Sequence, residues 1–73
     1  MSFSSVLSHE LYHARKELKL TQQDVADKTG ISVRWYQQLE KGADMPSALT
    51  LMRLILILGI RVDVFREPLN LTE

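Results

Sequence analysis

The chain has no cysteine, only two prolines and three glycines, and no long apolar run. The absence of cysteine excludes disulfides, thiolate metal ligands and a cysteine nucleophile, and it fits a reducing compartment. No stretch reaches the roughly 18 apolar residues that a membrane-spanning helix needs, so we expect a cytoplasmic protein with no membrane contact. A chain of 73 residues suffices for one small domain, which we place at residues 1–73.

An excess of charge of one sign is also missing. Nine Lys and Arg residues balance nine Asp and Glu residues, which gives a net charge of zero. Domains that bind nucleic acid usually carry an excess of basic residues. If DNA is the partner, the local arrangement of side chains must therefore supply the attraction to DNA that the overall charge does not.

The residues for catalysis or metal binding are absent as well. His9 and His13 have the i, i+4 spacing of two metal ligands on a helix, but no cysteine or obvious carboxylate partner completes a site. No Ser–His–Asp arrangement, acid–base pair or Gly-rich phosphate loop can be assembled from the remaining residues. We therefore predict no enzyme activity, no catalytic residue, no metal and no cofactor.

Helix start and stop signals recur along the sequence. The glycines each follow a helix-compatible stretch, at the position where a left-handed residue often ends a helix: Gly30, Gly42 and Gly59. Hydroxyl side chains stand where N-caps are expected: Thr21, Ser32 and Ser47. Together with the apolar spacing, these signals predict an all-α fold of five short helices, at about residues 5–18, 22–29, 33–41, 48–58 and 62–66.

The second and third predicted helices are separated by residues 30–32 alone. A three-residue turn that contains a glycine, between two helices this short, is typical of a helix-turn-helix. We place this motif at about residues 21–41. The third helix carries a polar face at the spacing i, i+3, i+4, i+7, formed by Arg34, Gln37, Gln38 and Lys41.

The polar face has the chemistry for contacts with base edges. Arginine can bond guanine O6 and N7, glutamine can bond adenine N6 and N7, and valine can pack on a thymine methyl group. Val33 lies beside Arg34 at the exposed start of the same helix. We therefore predict that Val33, Arg34, Gln37 and Gln38 contact bases.

Phosphate contacts would come from other side chains. Gln22 stands at the start of the second helix, where free N–H groups and the helix dipole favour an anion. A basic side chain, a hydroxyl and an indole N–H can also bind phosphate oxygens. The predicted phosphate-contacting residues are Gln22, Lys28, Ser32, Trp35 and Lys41.

The stretch LTQQDVADKTGISVRWYQQLEKG, residues 20–42, resembles the helix-turn-helix of the phage-repressor superfamily, the xenobiotic-response-element family of lambda repressor and Cro. The resemblance continues through MPSALTLMRLILILGIRVDVF, residues 45–65, and covers nearly the whole chain. It implies a compact five-helix domain that binds double-stranded operator DNA as a homodimer. It also implies that Gln22 contacts phosphate and that Val33, Arg34 and Gln38 contact bases.

The same resemblance implies a salt bridge between Arg15 and Glu40, with a structural role below the DNA surface. Two aromatic residues depart from the family pattern. Tyr36 stands where an aliphatic core residue is usual, and Trp35 is bulkier than many residues at its position. The tilt of the third helix depends on both.

The fourth predicted helix is apolar on every face except for Thr50 and Arg53. A helix that is apolar all round is normally buried all round, and a small monomer would leave one side exposed. We therefore expect a two-fold homodimer through an interface of Met52, Ile55, Leu56, Ile60 and Phe65. In the alternative, the fifth helix and the tail, residues 67–73, fold back and cover this surface within one chain.

Two functions remain open at this stage. The first is a transcriptional repressor that binds a palindromic operator as a homodimer. The second is a protein-binding module, such as the antitoxin half of a toxin–antitoxin pair, in which the apolar fourth helix engages the toxin. Zero net charge and that apolar helix both favour the second function.

Overall fold

The computed structural model describes residues 2–71 as four α-helices followed by one 3-10 turn. The elements are α1 (Phe3–Glu17), α2 (Gln22–Thr29), α3 (Val33–Lys41), α4 (Ala48–Leu58) and the 3-10 turn Val62–Phe65. No β-strand occurs within the described range. Residues 1, 72 and 73 lie outside this range, and residues 72 and 73 are the last two of the predicted tail.

The all-α prediction is confirmed, but the fifth element is not an α-helix. Its four residues form a single 3-10 turn, with a backbone bond of 3.3 Å from Val64 N–H to the Arg61 carbonyl. The β-branched Val62 and Val64 lower helix propensity. So short a segment also forms too few hydrogen bonds to offset the entropy lost when an α-helix starts. A tighter 3-10 turn results.

The bounds of α2, α3 and α4 coincide with the predicted ones because local signals fix them. Thr21 caps α2 in a complete capping box with Asp24. Gly30 ends that helix at φ 79°, a conformation that glycine adopts without the steric penalty of a Cβ atom. α1 starts two residues earlier than predicted, because the Ser2 side chain accepts a hydrogen bond from the Ser5 N–H and caps it.

The core lies where α3 packs on α1 and α2, and where α1 and α2 pack on α4. Its most deeply buried side chains come from all four helices: Leu7, Leu11, Val25, Ala26, Tyr36, Leu39 and Leu54. α3 therefore turns one side inward, and its opposite side is free to face a partner. This arrangement positions the helix-turn-helix at the surface of the domain.

Three of the five residues predicted for the dimer interface belong instead to this core. Ile55, Ile60 and Phe65 are only 8%, 7% and 5% exposed. The 3-10 turn folds back on α1, and the Phe65 ring lies 5.0 Å from the Phe3 ring. These three side chains are therefore buried within one chain and do not line an exposed surface, whereas Met52 and Leu56 stay exposed. The homodimer itself stays a prediction.

One side of α4 stays exposed, whereas Thr50, Leu54, Ile55 and Leu58 are buried. Leu49, Met52 and Leu56 are 62%, 54% and 75% exposed and follow one another at helical spacing; we call them the α4 stripe.

None of the helices described for residues 2–71 has both the length and the apolarity to cross a membrane.

Candidate nucleic-acid interface

The outward side of α3 carries the side chains that were predicted to contact bases. Tyr36 and Leu39 face the core, so Arg34 projects into solvent and Gln37 and Gln38 are half-buried. Within residues 2–71, no carboxylate pairs with Arg34, and the Gln38 side chain forms no hydrogen bond with a neighbouring group. Both side chains keep their hydrogen-bonding capacity for a partner.

Two other α3 residues lie partly in the protein. Val33 and Trp35 are half-buried and pack against the hydrophobic core. Trp35 also donates its backbone N–H to Ser32 Oγ at 3.1 Å. Because this bond uses only an acceptor site of Ser32, the hydroxyl proton remains available to donate to a phosphate. The capping role of Ser32 is therefore compatible with the predicted phosphate contact.

A buried ion pair joins α1 to α3 beneath this surface. Arg15 Nε and Nη2 donate to Glu40 Oε2 and Oε1 at 2.9 and 2.8 Å, in a bidentate arrangement. The two side chains are 10% and 8% exposed. Arg15 Nη1 also donates to the Leu20 carbonyl at 3.0 Å. The guanidinium thus fixes the chain segment that leads into α2.

The Glu40 carboxylate accepts two further hydrogen bonds. Tyr36 donates its hydroxyl to Oε2 at 2.6 Å, and Gln22 donates Nε2 to Oε1 at 3.2 Å. Burial alone would raise the pKa of Glu40, but the hydrogen bonds from Arg15, Tyr36 and Gln22 lower it below the ordinary value. The bond to Glu40 raises the pKa of Arg15, and burial together with that carboxylate raises the pKa of Tyr36.

One residue predicted to contact bases touches one predicted to contact phosphate. Gln37 Nε2 donates to Gln22 Oε1 at 3.1 Å. The amide of Gln22 is therefore held from both sides, by Gln37 and by Glu40. Tertiary packing of α2 on α3 brings these side chains together across 15 positions of sequence.

The predicted phosphate contacts do not all share one surface. Gln22 and Lys41 line one polar cleft between α1 and α3, together with Gln37 and Glu40 and with five side chains of α1: Ser5, Ser8, His9, Tyr12 and His13. Lys28 instead lines a separate hollow with Leu18, Leu20 and Ile57. The structure therefore groups Gln22, Gln37 and Lys41 and leaves Lys28 apart.

Sequence reasoning missed three features of this region. The Tyr36–Glu40 bond has an i, i+4 spacing on one helix, a signal from which it could have been found. The Gln22–Gln37 bond and the α1 wall of the cleft have no local signal.

The rings of His9 and His13 lie 4.2 Å apart on that wall. No cluster of three or more potential metal-ligating side chains occurs in the described part of the chain.

The comparisons with known proteins agree with this geometry. A model of a helix-turn-helix family matches residues 11–65. The uncharacterized HTH-type transcriptional regulator YqaE of Bacillus subtilis (strain 168) is 40% identical over 58 residues, which is 80% of this chain and 50% of that protein. The chain thus spans about half the length of this relative. No solved structure matches the chain.

The family match includes the whole of α2, α3 and α4 and both partners of the Arg15–Glu40 ion pair. It therefore covers the two helices, the connecting turn and the supporting contacts from which the site is built. The chain belongs to the helix-turn-helix family of the xenobiotic-response-element type.

Proposed function

We propose that the chain is a cytoplasmic, sequence-specific DNA-binding repressor that occupies a palindromic operator as a homodimer. Both comparisons support a DNA-binding transcriptional regulator, and a helix-turn-helix family favours a regulator over an enzyme. The repressor acts by occupancy: the bound protein excludes polymerase or a competing protein from the same site.

The observation that carries the proposal is the outward face of α3. Arg34 is exposed and has no carboxylate partner among residues 2–71, and Gln38 beside it keeps its whole amide free. A major groove is wide enough to admit an α-helix, and these side-chain types form bidentate bonds with guanine and adenine. Val33 and Gln37 complete the proposed base-contacting set.

Phosphate contacts on either side of α3 fix its position on the duplex. The N-terminus of α2 supplies free N–H groups and a dipole that favours an anion, and Gln22 stands at that end. Ser32, Trp35 and Lys41 are the further proposed contacts. Lys28 stays a proposed phosphate contact on a separate part of the surface, where it lines the hollow with Leu18.

The α4 stripe supports the homodimer. Leu49, Met52 and Leu56 form an exposed apolar row, and such rows commonly mark an interface. A two-fold dimer of helix-turn-helix domains places its recognition helices about 34 Å apart, one turn of DNA. The corresponding operator has two inverted half-sites at that spacing.

A second candidate function is that of an antitoxin-type module. The same α4 stripe would then contact a partner protein. The net charge of zero agrees with a weak DNA contact. The two functions are compatible in one protein. A gene for a toxin-sized protein beside this one would favour the antitoxin, whereas neighbouring phage or mobile-element genes would favour a lone repressor.

Selection of bound sequences from a random duplex pool tests the proposal. The expected product is a pair of inverted half-sites about 10 base pairs apart, centre to centre. Arg34→Ala should lose the consensus, and Arg66→Ala is the matched control, since it removes the same charge from the exposed side chain that faces Asp63. A pool that shows no enrichment over scrambled duplexes contradicts the proposal.

A further inference from the structure

The side chains of Gln37, Gln22 and Glu40 form a chain of hydrogen bonds with one direction. Gln37 donates to Gln22 at 3.1 Å, and Gln22 donates to Glu40 at 3.2 Å. We propose that Glu40 is a positioning residue that fixes the polarity of both amides, so that Gln37 selects a base whose edge offers an N–H donor, adenine or cytosine. This inference rests on the proposed DNA binding.

Glu40 sets the direction because a carboxylate only accepts hydrogen bonds. Arg15 donates to both of its oxygens, at 2.9 and 2.8 Å, and Tyr36 donates to Oε2 at 2.6 Å. These donors hold Glu40 in its ionised form, as the lowered pKa of Glu40 also indicates. The only group of Gln22 that can bond to such a carboxylate is its NH2 group.

A glutamine amide has nearly the same shape in its two flipped orientations, so its neighbours decide between them. Here Glu40 takes one N–H of Gln22, and the Gln22 carbonyl accepts from Gln37. One N–H of Gln22 is left over. Phosphate oxygens only accept, so this N–H is the group that binds a phosphate, and a flipped amide would present a repelling carbonyl instead.

The consequence for Gln37 concerns base choice. One of its N–H groups is used by Gln22, which leaves a carbonyl oxygen and one N–H. In the major groove, adenine N6 and cytosine N4 donate, whereas guanine N7 and O6 and thymine O4 only accept. The free carbonyl of Gln37 therefore favours adenine or cytosine. Adenine satisfies both remaining groups, because its N7 accepts the second N–H.

Two variants of the full chain form the first test of these hydrogen bonds, by selection from a random duplex pool. Gln37→Ala identifies the base pair that Gln37 contacts. Gln22→Met removes the amide that orients Gln37 and leaves the Arg15–Glu40 pair intact. We expect Gln22→Met to reduce the preference for adenine or cytosine at that pair by roughly tenfold, which is within the discrimination of one bidentate contact, because the freed Gln37 amide can also turn both N–H groups towards guanine or thymine. The Arg34 position should keep its preference.

Glu40→Gln and Tyr36→Phe form the second comparison. An amide at position 40 can donate, so the chain can reverse, and the preference at the Gln37 base pair should move towards guanine or thymine. Tyr36→Phe is the control: it removes one bond to the carboxylate but leaves Glu40 an acceptor, and the preference should stay. If Glu40→Gln does not fold, Gln22→Met decides the question alone.

The outcomes separate this inference from the proposed function. A wild-type pool without a consensus overturns DNA recognition itself. A wild-type consensus that Gln22→Met binds more weakly at every sequence, with the same preference at the Gln37 base pair, overturns only the role of Glu40. The same holds if folded Glu40→Gln loses affinity uniformly, or if Gln37→Ala alters no base preference, because Glu40 is then merely structural.

Discussion

Tyr36 donates its hydroxyl to Glu40 Oε2 at 2.6 Å, which links the centre of the core to the proposed DNA surface. The Tyr36 side chain is fully buried, whereas Glu40 reaches the cleft that Gln22 and Gln37 line. One carboxylate therefore holds α1 through Arg15 and orients the start of α2 through Gln22. Packing and the proposed DNA recognition share this carboxylate, so we expect substitutions at Glu40 to affect both.

Arg15→Met should lower the free energy of unfolding by about 3 kcal/mol, because loss of one partner leaves a buried charge without compensation. Urea denaturation measures this change. Arg61→Met is the matched control: Arg61 lies 3.5 Å from Asp63 and its side chain is 81% exposed, so the expected change is about 0.5 kcal/mol or less. Equal losses in the two variants would contradict a structural role for the buried pair.

The stability conferred by Glu40 should disappear in acid. Its folded-state pKa lies below the ordinary value of 4.5, so the ionised carboxylate stabilises the fold above that pH. This contribution is lost as the pH falls through the folded-state pKa. Urea unfolding of wild type and Glu40→Gln from about pH 7 to about pH 2.5 should show a gap between their free energies of unfolding, and this gap should narrow in acid. A gap that is the same at every pH would refute the assignment.

Gln38→Ala and Lys41→Ala should affect DNA binding in different ways. Loss of the free Gln38 amide changes the preference at one base pair, by about 1–3 kcal/mol of discrimination. Loss of Lys41 weakens binding to all sequences alike and reduces the slope of log affinity against log salt by about one. Fluorescence anisotropy on consensus and single-substitution duplexes measures both effects. If both variants bind all sequences more weakly by the same factor, Gln38 is not a base-contacting residue.

Leu56→Glu should prevent dimerisation without unfolding the monomer. Leu56 is 75% exposed, so the charge disturbs no internal contact, but it would be buried in a dimer that uses the α4 stripe. Sedimentation at micromolar concentration, with and without DNA, gives the oligomeric state. Leu18→Glu is the control, since Leu18 is an exposed leucine, at 50%, outside the stripe. A monomeric wild type on and off DNA argues against the homodimer.

Some properties of this protein were predictable because neighbouring residues decide them. The N-cap at Thr21 and the left-handed Gly30 define α2 within a few positions of sequence. The same kinds of signal set the limits of α3 and α4. The outward face of α3 follows from helical periodicity alone. The resemblance to known helix-turn-helix sequences, which covers nearly the whole chain, pointed to the pairing of Arg15 with Glu40.

Other properties depend on contacts between distant parts of the chain. Ile55 and Met52 are both apolar residues of α4, yet one is 8% and the other 54% exposed. The difference arises because α4 packs on α1 and α2, so that Ile55 joins the buried cluster that includes Phe65, whereas Met52 lies outside that cluster. An apolar pattern gives the composition of a helix, but only its neighbours decide which of its faces are covered.

The sequence alone therefore determined the bounds of α2, α3 and α4, the turn between α2 and α3 and the side chains on the exposed face of α3, because each depends on residues within one or two helical turns. The tertiary structure decided the direction of the Gln37–Gln22–Glu40 bonds and the separation of Lys28 from Lys41. Hydrogen-bond direction and surface grouping are properties of helices packed against one another, and no single segment encodes them.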